Sequence, residues 1–233
     1  MARFKIYQIP HKGLRQAIAQ LVLQAGSTDY TDDAELAALR TATETLFSAL
    51  DHHAHVEEQF ILTELAKVDP AITAVDADAH RQLEQTQASA MALLDRMVLE
   101  NRARRQVAQP ALDAPDDTAS AFYLTLTQYQ AMQLRHMYAE ETVTQPALLA
   151  AFTDAQIGAI DARIVAALNE TVAPERIAQL LGGMLACAAP NERAQMLGRI
   201  RTGMPVDAFA QLLEPVTAPL NARDRAKLQL ALA

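Results

Sequence analysis

The sequence is poor in the residues on which several common fold classes depend. Its 233 residues include one cysteine, no tryptophan and seven glycines. The single cysteine, Cys187, excludes an internal disulfide framework and a cage of thiolate metal ligands, and it makes a reducing compartment the default expectation. Few glycines, together with abundant alanine, leucine and glutamine, favour an all-α protein.

Two further absences limit the partners of this chain. No stretch approaches the roughly 18 uninterrupted apolar residues of a membrane span, and the first ten residues lack the apolar run of a signal peptide. The formal charge of −8 argues against nucleic acid, because phosphates require a basic surface. We therefore expect a cytoplasmic protein that binds neither membranes nor nucleic acid.

The hydrophobic pattern predicts four long helices in the first two thirds of the chain. Apolar residues recur every three or four positions over 10–26, from about 34 to 68, over 70–106 and over 118–151. Long helices joined by short connections are typical of an antiparallel up-and-down four-helix bundle. We assign residues 1–152 to this bundle.

The remaining residues, 153–233, differ from the bundle in composition. They contain five prolines, no histidine and several short amphipathic stretches. We predict an appended C-terminal segment of short helices without metal ligands. Its apolar faces are available for contact with the bundle, with a second copy or with a protein partner.

One motif, His-x-x-x-Glu-Glu, occurs twice on the predicted helices. The first copy contains His53, Glu57 and Glu58, and the second contains His136, Glu140 and Glu141. Residues four apart share one face of a helix, so each copy directs an imidazole and a carboxylate the same way. The other two predicted long helices carry His11 and His80. All four helices can therefore contribute ligands to one interior site.

Imidazole and carboxylate groups together suit iron, manganese or zinc better than magnesium or calcium. Four histidines and two glutamates are too many for one tetrahedral zinc, and they fit two metals about 3.5–4 Å apart. A symmetric assignment places His11 and His53 on one metal, His80 and His136 on the other, and Glu57 and Glu140 as bridges. Each metal then keeps an open position for a small ligand.

Neighbouring residues carry less specific predictions. Glu58 and Glu141 are expected at the surface or as acceptors for the N–H of a ligand imidazole. Tyr129, Met132 and Phe60 either pack in the core or line the ligand pocket. His52 and His55 point to other sides of the second helix and are expected not to be ligands. His52 would replace His53 only if the helix were shifted by one residue.

The order of these residues resembles the hemerythrin and hemerythrin-like HHE cation-binding family over roughly residues 8–150. The continuation Glu-Glu-Thr-Val-Thr-Gln-Pro-Ala-Leu after His136 is also similar. The resemblance implies a non-haem site with two iron ions, Fe2+ or Fe3+, bridged by oxygen and carboxylates. It also implies a small diatomic ligand or peroxide as the partner of that site.

One departure from the family pattern affects the expected function. Oxygen-carrying members have a second histidine on the third helix, four residues before or after the first, where this chain has Asp76 and Glu84. One iron therefore lacks a fifth protein ligand or takes a carboxylate. Our leading interpretation is a protein that binds or senses O2, NO or a related small oxidant at an open iron position, and the sequence leaves open whether it is also an enzyme. The alternatives are an oxidoreductase that scavenges peroxide or NO, and an iron donor for the repair of damaged iron centres.

Overall fold

The computed structural model describes residues 3–107 and 116–232. Contacts divide the chain into two compact units. We call Ala17–Ala151 the bundle unit, and Met1–Gln16 together with Phe152–Ala233 the terminal unit. The connection between the third and fourth predicted helices, which the sequence analysis placed between residues 106 and 118, lies partly outside the described residues. None of the described helices has the length and apolar character needed to cross a membrane.

Four long helices form the bundle, and their bounds follow the hydrophobic pattern. They are α1 (Gln8–Ser27), α2 (Asp33–Val56), α3 (Pro70–Val107) and α4 (Asp116–Ala139). The chain continues beyond α2 through Glu57–Leu62 and Thr63–Leu65, and beyond α4 through Glu140–Thr144 and Gln145–Ala151. The predicted all-α antiparallel up-and-down bundle with appended C-terminal helices is confirmed.

A local signal in the sequence fixes where α2 starts, and apolar side chains hold the four helices together. The Asp32 side chain accepts hydrogen bonds from the N–H groups of Ala34 and Glu35 at the start of α2. In the interior, Leu39, Leu94 and Leu126 are completely buried, and each such side chain stabilises the fold by about 1.5–3 kcal/mol. This packing supports the polar cluster described below.

The continuations of α2 and α4 begin with π-helical segments, which the sequence pattern did not predict. One covers Glu57–Leu62 and the other Glu140–Thr144, so each begins at the glutamate of a His-x-x-x-Glu motif. In the second segment the Gln145 N–H bonds to the Glu140 carbonyl oxygen five residues earlier. Short π segments of this kind occur frequently at functional sites.

Five shorter helices lie in the part of the terminal unit that the structure describes. They are α5 (Asp154–Thr171), α6 (Pro174–Cys187), α7 (Pro190–Thr202), α8 (Val206–Thr217) and α9 (Ala222–Leu232). A capping box formed by Thr153 and Gln156 opens α5. Gly182 allows α6 to approach α8 closely, because a Cβ at this position would lie 3.2 Å from the Val216 carbonyl oxygen.

Ion pairs within the terminal unit connect its two chain segments. Arg3 pairs with Asp154 at 2.7 Å, and Lys12 pairs with Glu192 at 2.6 Å. The buried Arg193 donates from Nε to the Leu185 carbonyl oxygen at 2.7 Å. The N-terminal residues therefore pack with 152–233 in one unit, a pairing that our sequence analysis did not predict. The division into domains 1–152 and 153–233 stays a prediction.

Candidate metal centre

Four polar side chains are buried together inside the bundle unit. Glu57 and Glu140 are 1% and 0% exposed, and His80 and His136 are 3% and 8% exposed. Each of the four offers one ligand atom, and these atoms all lie within 4.8 Å of one another. Buried carboxylates are costly unless a cation or hydrogen bonds compensate them. Such a cluster therefore has the composition and spacing of a metal centre.

The carboxylate of Glu57 lies between imidazoles of two helices. Its Oε1 is 2.9 Å from His53 Nε2, and its Oε2 is 3.4 Å from His80 Nε2. His53 is the i−4 neighbour on α2, whereas His80 comes from α3. One carboxylate thus presents a separate oxygen to each of two imidazoles.

The second motif supplies the opposite side of the cluster. His136 Nε2 lies 3.5 Å from Glu140 Oε1. The rings of His80 and His136 meet edge to face, with centroids 4.6 Å apart and an interplanar angle of 78°. On the outer side of His80, Nδ1 lies 2.9 Å from Glu58 Oε1. Glu58 therefore occupies the place predicted for an acceptor of a ligand imidazole's N–H, while Glu141 is half-buried.

Burial and like charges dominate the electrostatics of the cluster. Burial raises the pKa of Glu140 well above its ordinary value, and the nearby carboxylates of Glu57 and Asp76 raise it further. Burial also raises the pKa of Asp76, although a hydrogen bond from Thr144 acts in the opposite direction. For His80, burial lowers the pKa, but hydrogen bonds to Glu57 and Glu58 outweigh this effect and the net shift is upward. Positive charge is therefore stabilised at this place.

The remaining predicted histidine ligand and the two predicted non-ligands occupy different environments. His11 is completely buried at the start of α1, in the terminal unit, with its ring centroid 5.3 Å from that of Tyr7. Its role as a ligand stays a prediction. His52 and His55 are exposed on α2, whereas His53 is partly buried. These exposures agree with the helix register that pairs His53 with Glu57.

A small cavity of about 20 Å³ adjoins the cluster. Its wall includes His53, Glu57, His80 and His136. Our sequence analysis missed the other polar residues of this wall, which are Asp51, Gln87 and Gln133, together with Glu84, which it had considered only as a ligand. Glutamine and aspartate are common on exposed helix faces, so no motif distinguished them. Gln87, Gln133 and Glu84 lie about two turns or one turn from His80 or His136, and only this spacing could have indicated them; Asp51, two residues before His53, had no such signal.

The residues predicted to line the pocket have other contacts. Tyr129 is completely buried, and its hydroxyl oxygen accepts hydrogen bonds from the side-chain amides of Gln87 and Gln133. Met132 accepts a hydrogen bond from Thr86, with 3.7 Å between Oγ1 and Sδ. Phe60 is half-buried. A role for Tyr129, Met132 and Phe60 in the pocket stays a prediction.

The donor set of the cluster fits a transition metal. Imidazole nitrogen and carboxylate oxygen together suit iron, manganese and zinc, whereas magnesium and calcium prefer oxygen alone. Histidines and glutamates that project inward from facing helices are typical of metal-binding helical bundles. The fold and the cluster are therefore those of the metal-binding helical bundles.

Comparison with known protein families agrees with this class. The family model described as the hemerythrin HHE cation binding domain matches residues 6–148, which is more than half of the chain. The chain belongs to the hemerythrin HHE cation-binding family, as the resemblance of its motifs predicted. Neither a search of curated proteins nor a search of solved structures gave a match.

Proposed function

We propose that this protein binds two iron ions in its interior cluster and a small ligand, such as O2, NO or peroxide, beside them. The single observation that carries the proposal is the position of Glu57. Its two oxygens face imidazoles from two different helices, which is the arrangement that a carboxylate between two metals requires. Membership of a cation-binding family supports the metal, and iron is one of the metals that this donor set suits.

The proposed ligands are the histidines and glutamates of the repeated motif and of the two other long helices: His11, His53, Glu57, His80, His136 and Glu140. Iron would supply redox and Lewis-acid chemistry to a ligand bound next to it. The chain itself would orient the imidazoles, for example through the contact of Glu58 with His80 Nδ1. The bundle interior would exclude bulk water from the site.

The dimensions of the adjoining cavity support a ligand of very few atoms. Its volume of about 20 Å³ is only slightly larger than the space that one water molecule needs. Its polar wall favours peroxide scavenging as the second candidate function. A binding protein would react once with peroxide, whereas an oxidoreductase would turn it over, so stopped-flow stoichiometry separates the two. A cytoplasmic location, and a second copy or protein partner at the terminal helices, belong to the same proposal.

Metal analysis is the direct test of the proposed centre. We expect two iron ions per chain after anaerobic loading of the purified full-length protein with Fe2+ and removal of excess metal. Oxidation should then produce an optical charge-transfer band that disappears on reduction. Metal content is measured by mass spectrometry and the band by absorption spectroscopy. A colourless protein that retains a single zinc ion would contradict the proposal.

We also propose that Asp76, not Glu84, compensates for the missing second histidine on α3. Asp76 is buried next to the cluster and accepts a hydrogen bond from Thr144 at 2.9 Å, whereas Glu84 is exposed. Asp76→Asn keeps the size of the side chain and removes its charge, so we expect it to weaken iron binding by about 10–100-fold. The matched control Glu84→Gln should weaken it by about fivefold or less. Competition with an iron chelator measures both affinities, and equal effects would refute this assignment.

A further inference from the structure

A buried polar group lies beside the metal cluster and is not part of it. It consists of Tyr129, Gln87 and Gln133, which are 0%, 8% and 6% exposed. The side-chain amides of Gln87 and Gln133 donate to the Tyr129 hydroxyl oxygen at 2.8 and 2.9 Å. The Tyr129 ring packs edge-on against Phe47, with centroids 5.1 Å apart. Tyr129 is therefore held by packing, and its hydroxyl holds both amides.

The positions of the two glutamines place their amides on the metal-facing side of the helices. Gln87 follows His80 by seven residues, or about two turns of α3, and Gln133 precedes His136 by about one turn of α4. Both residues contribute to the wall of the 20 Å³ cavity, which also includes His80 and His136. The amides and the proposed metal ligands thus face the same small space.

The burial of two glutamine side chains beside the cluster requires a physical explanation. A buried carboxamide costs free energy unless its polar groups find partners, and each carboxamide has two N–H donors and one carbonyl acceptor. The bond to Tyr129 uses one N–H of each glutamine and restricts the rotation of its side chain. The second N–H of a side chain in the cavity wall can be satisfied by whatever occupies the cavity. An anion or a peroxide accepts such hydrogen bonds well, whereas neutral O2 or NO accepts them poorly.

We infer that Gln87 and Gln133, held in place by Tyr129, select a hydrogen-bonding ligand such as peroxide or a small anion at the metal pair. This inference rests on the proposed function, because the ligand must bind beside the metal. It narrows the ligand class from any small oxidant to one that accepts hydrogen bonds. The two glutamines then act as specificity-determining residues, and Tyr129 is a positioning residue.

The test uses the iron-loaded full-length protein, with azide as an anionic probe and NO as a neutral one. Metal content is measured first, so that failure of the metal proposal is seen separately. Azide is then titrated against the ferric form by absorption, and NO against the ferrous form. Replacing both glutamines by methionine, which has a similar length and no N–H, should weaken azide binding by about 10–100-fold. The affinity for NO should change by about threefold or less, since a weak acceptor loses little.

Matched variants distinguish a loss of ligand recognition from a general disruption of core packing. Gln85→Met changes the same residue type on the exposed side of α3 and should leave both affinities unchanged. Tyr129→Phe keeps the ring but removes the oxygen that holds the amides, so the ratio of azide to NO affinity should fall between the native and double-variant values. The single variants Gln87→Met and Gln133→Met serve if the double variant does not fold. Full iron content with an unchanged azide-to-NO ratio in the glutamine variants would overturn the inference while leaving the metal centre in place.

Discussion

Replacing Glu57 by alanine should remove both iron ions from the protein. The two oxygens of this carboxylate face His53 and His80 at 2.9 and 3.4 Å, so the residue is shared between the two halves of the proposed centre. Loss of a shared ligand weakens the binding of both metals at once. Loss of a histidine that would bind only one metal, such as His136, should remove at least one ion. Metal content per chain after loading and desalting measures the effect.

The iron-free form of a second variant distinguishes loss of the site from loss of the fold. Glu57→Gln keeps the shape of the side chain but removes one charge from a cluster in which Glu140 and Asp76 are also buried. Without metal these carboxylates destabilise the fold through desolvation and mutual repulsion. We therefore expect iron-free Glu57→Gln to melt above the iron-free native protein, by about 2–4 °C for each kcal/mol relieved. Thermal melting followed by circular dichroism measures this difference.

Nearby histidines provide the controls for the Glu57 experiment. His52→Ala and His55→Ala alter exposed side chains on the same helix and should leave the iron content close to two. His53→Ala should remove at least one ion. Retention of both ions by Glu57→Ala would contradict the proposed shared ligand. Loss of iron from His52→Ala but not from His53→Ala would show that the helix register is wrong.

The helical repeat made much of the bundle and of the cluster predictable from sequence. The bounds of α1 and α3 lie within about two residues of those that the apolar spacing indicated, which is the usual uncertainty of helix ends. Because i and i+4 share a face, the His-x-x-x-Glu motif correctly indicated that His53 and Glu57 would point the same way, and their Nε2 and Oε1 atoms are 2.9 Å apart. These features depend on the spacing of residues along single helices, and this spacing can be read directly from the sequence.

Other features depend on interactions that no local pattern expresses. The π-helical turns after Glu57 and Glu140 lie in stretches without glycine or an internal proline, so composition did not mark them. The ion pair of Lys12 with Glu192 joins residues 180 positions apart in the chain. Gln87 and Gln133 cannot be recognised as a pair from the sequence, because only the folded structure brings both side-chain amides to the Tyr129 hydroxyl oxygen. Each of these features could be recognised only from the tertiary structure.

Iron loading should raise the melting temperature of the bundle unit substantially. The cluster buries Glu57, Glu140, His80 and His136 in an otherwise apolar interior, so a bound cation offsets an existing electrostatic cost in the folded state. A ligand that binds only the folded state and is present at 1,000 times its Kd stabilises that state by about 4 kcal/mol per site. For a chain of this size that corresponds to an increase of about 8–16 °C for each occupied site.

The control for this experiment is a variant that lacks the proposed shared ligand. The transition assigned to the bundle unit should shift with iron, because five of the six proposed ligands lie between Ala17 and Ala151. Differential scanning calorimetry of iron-free and loaded protein resolves the transitions. Glu57→Ala, treated with iron in the same way, should melt at the same temperature with and without the metal. Superimposable curves for the native protein would mean that iron binds the folded state no more tightly than the unfolded state. The interior cluster would then not be the binding site of iron.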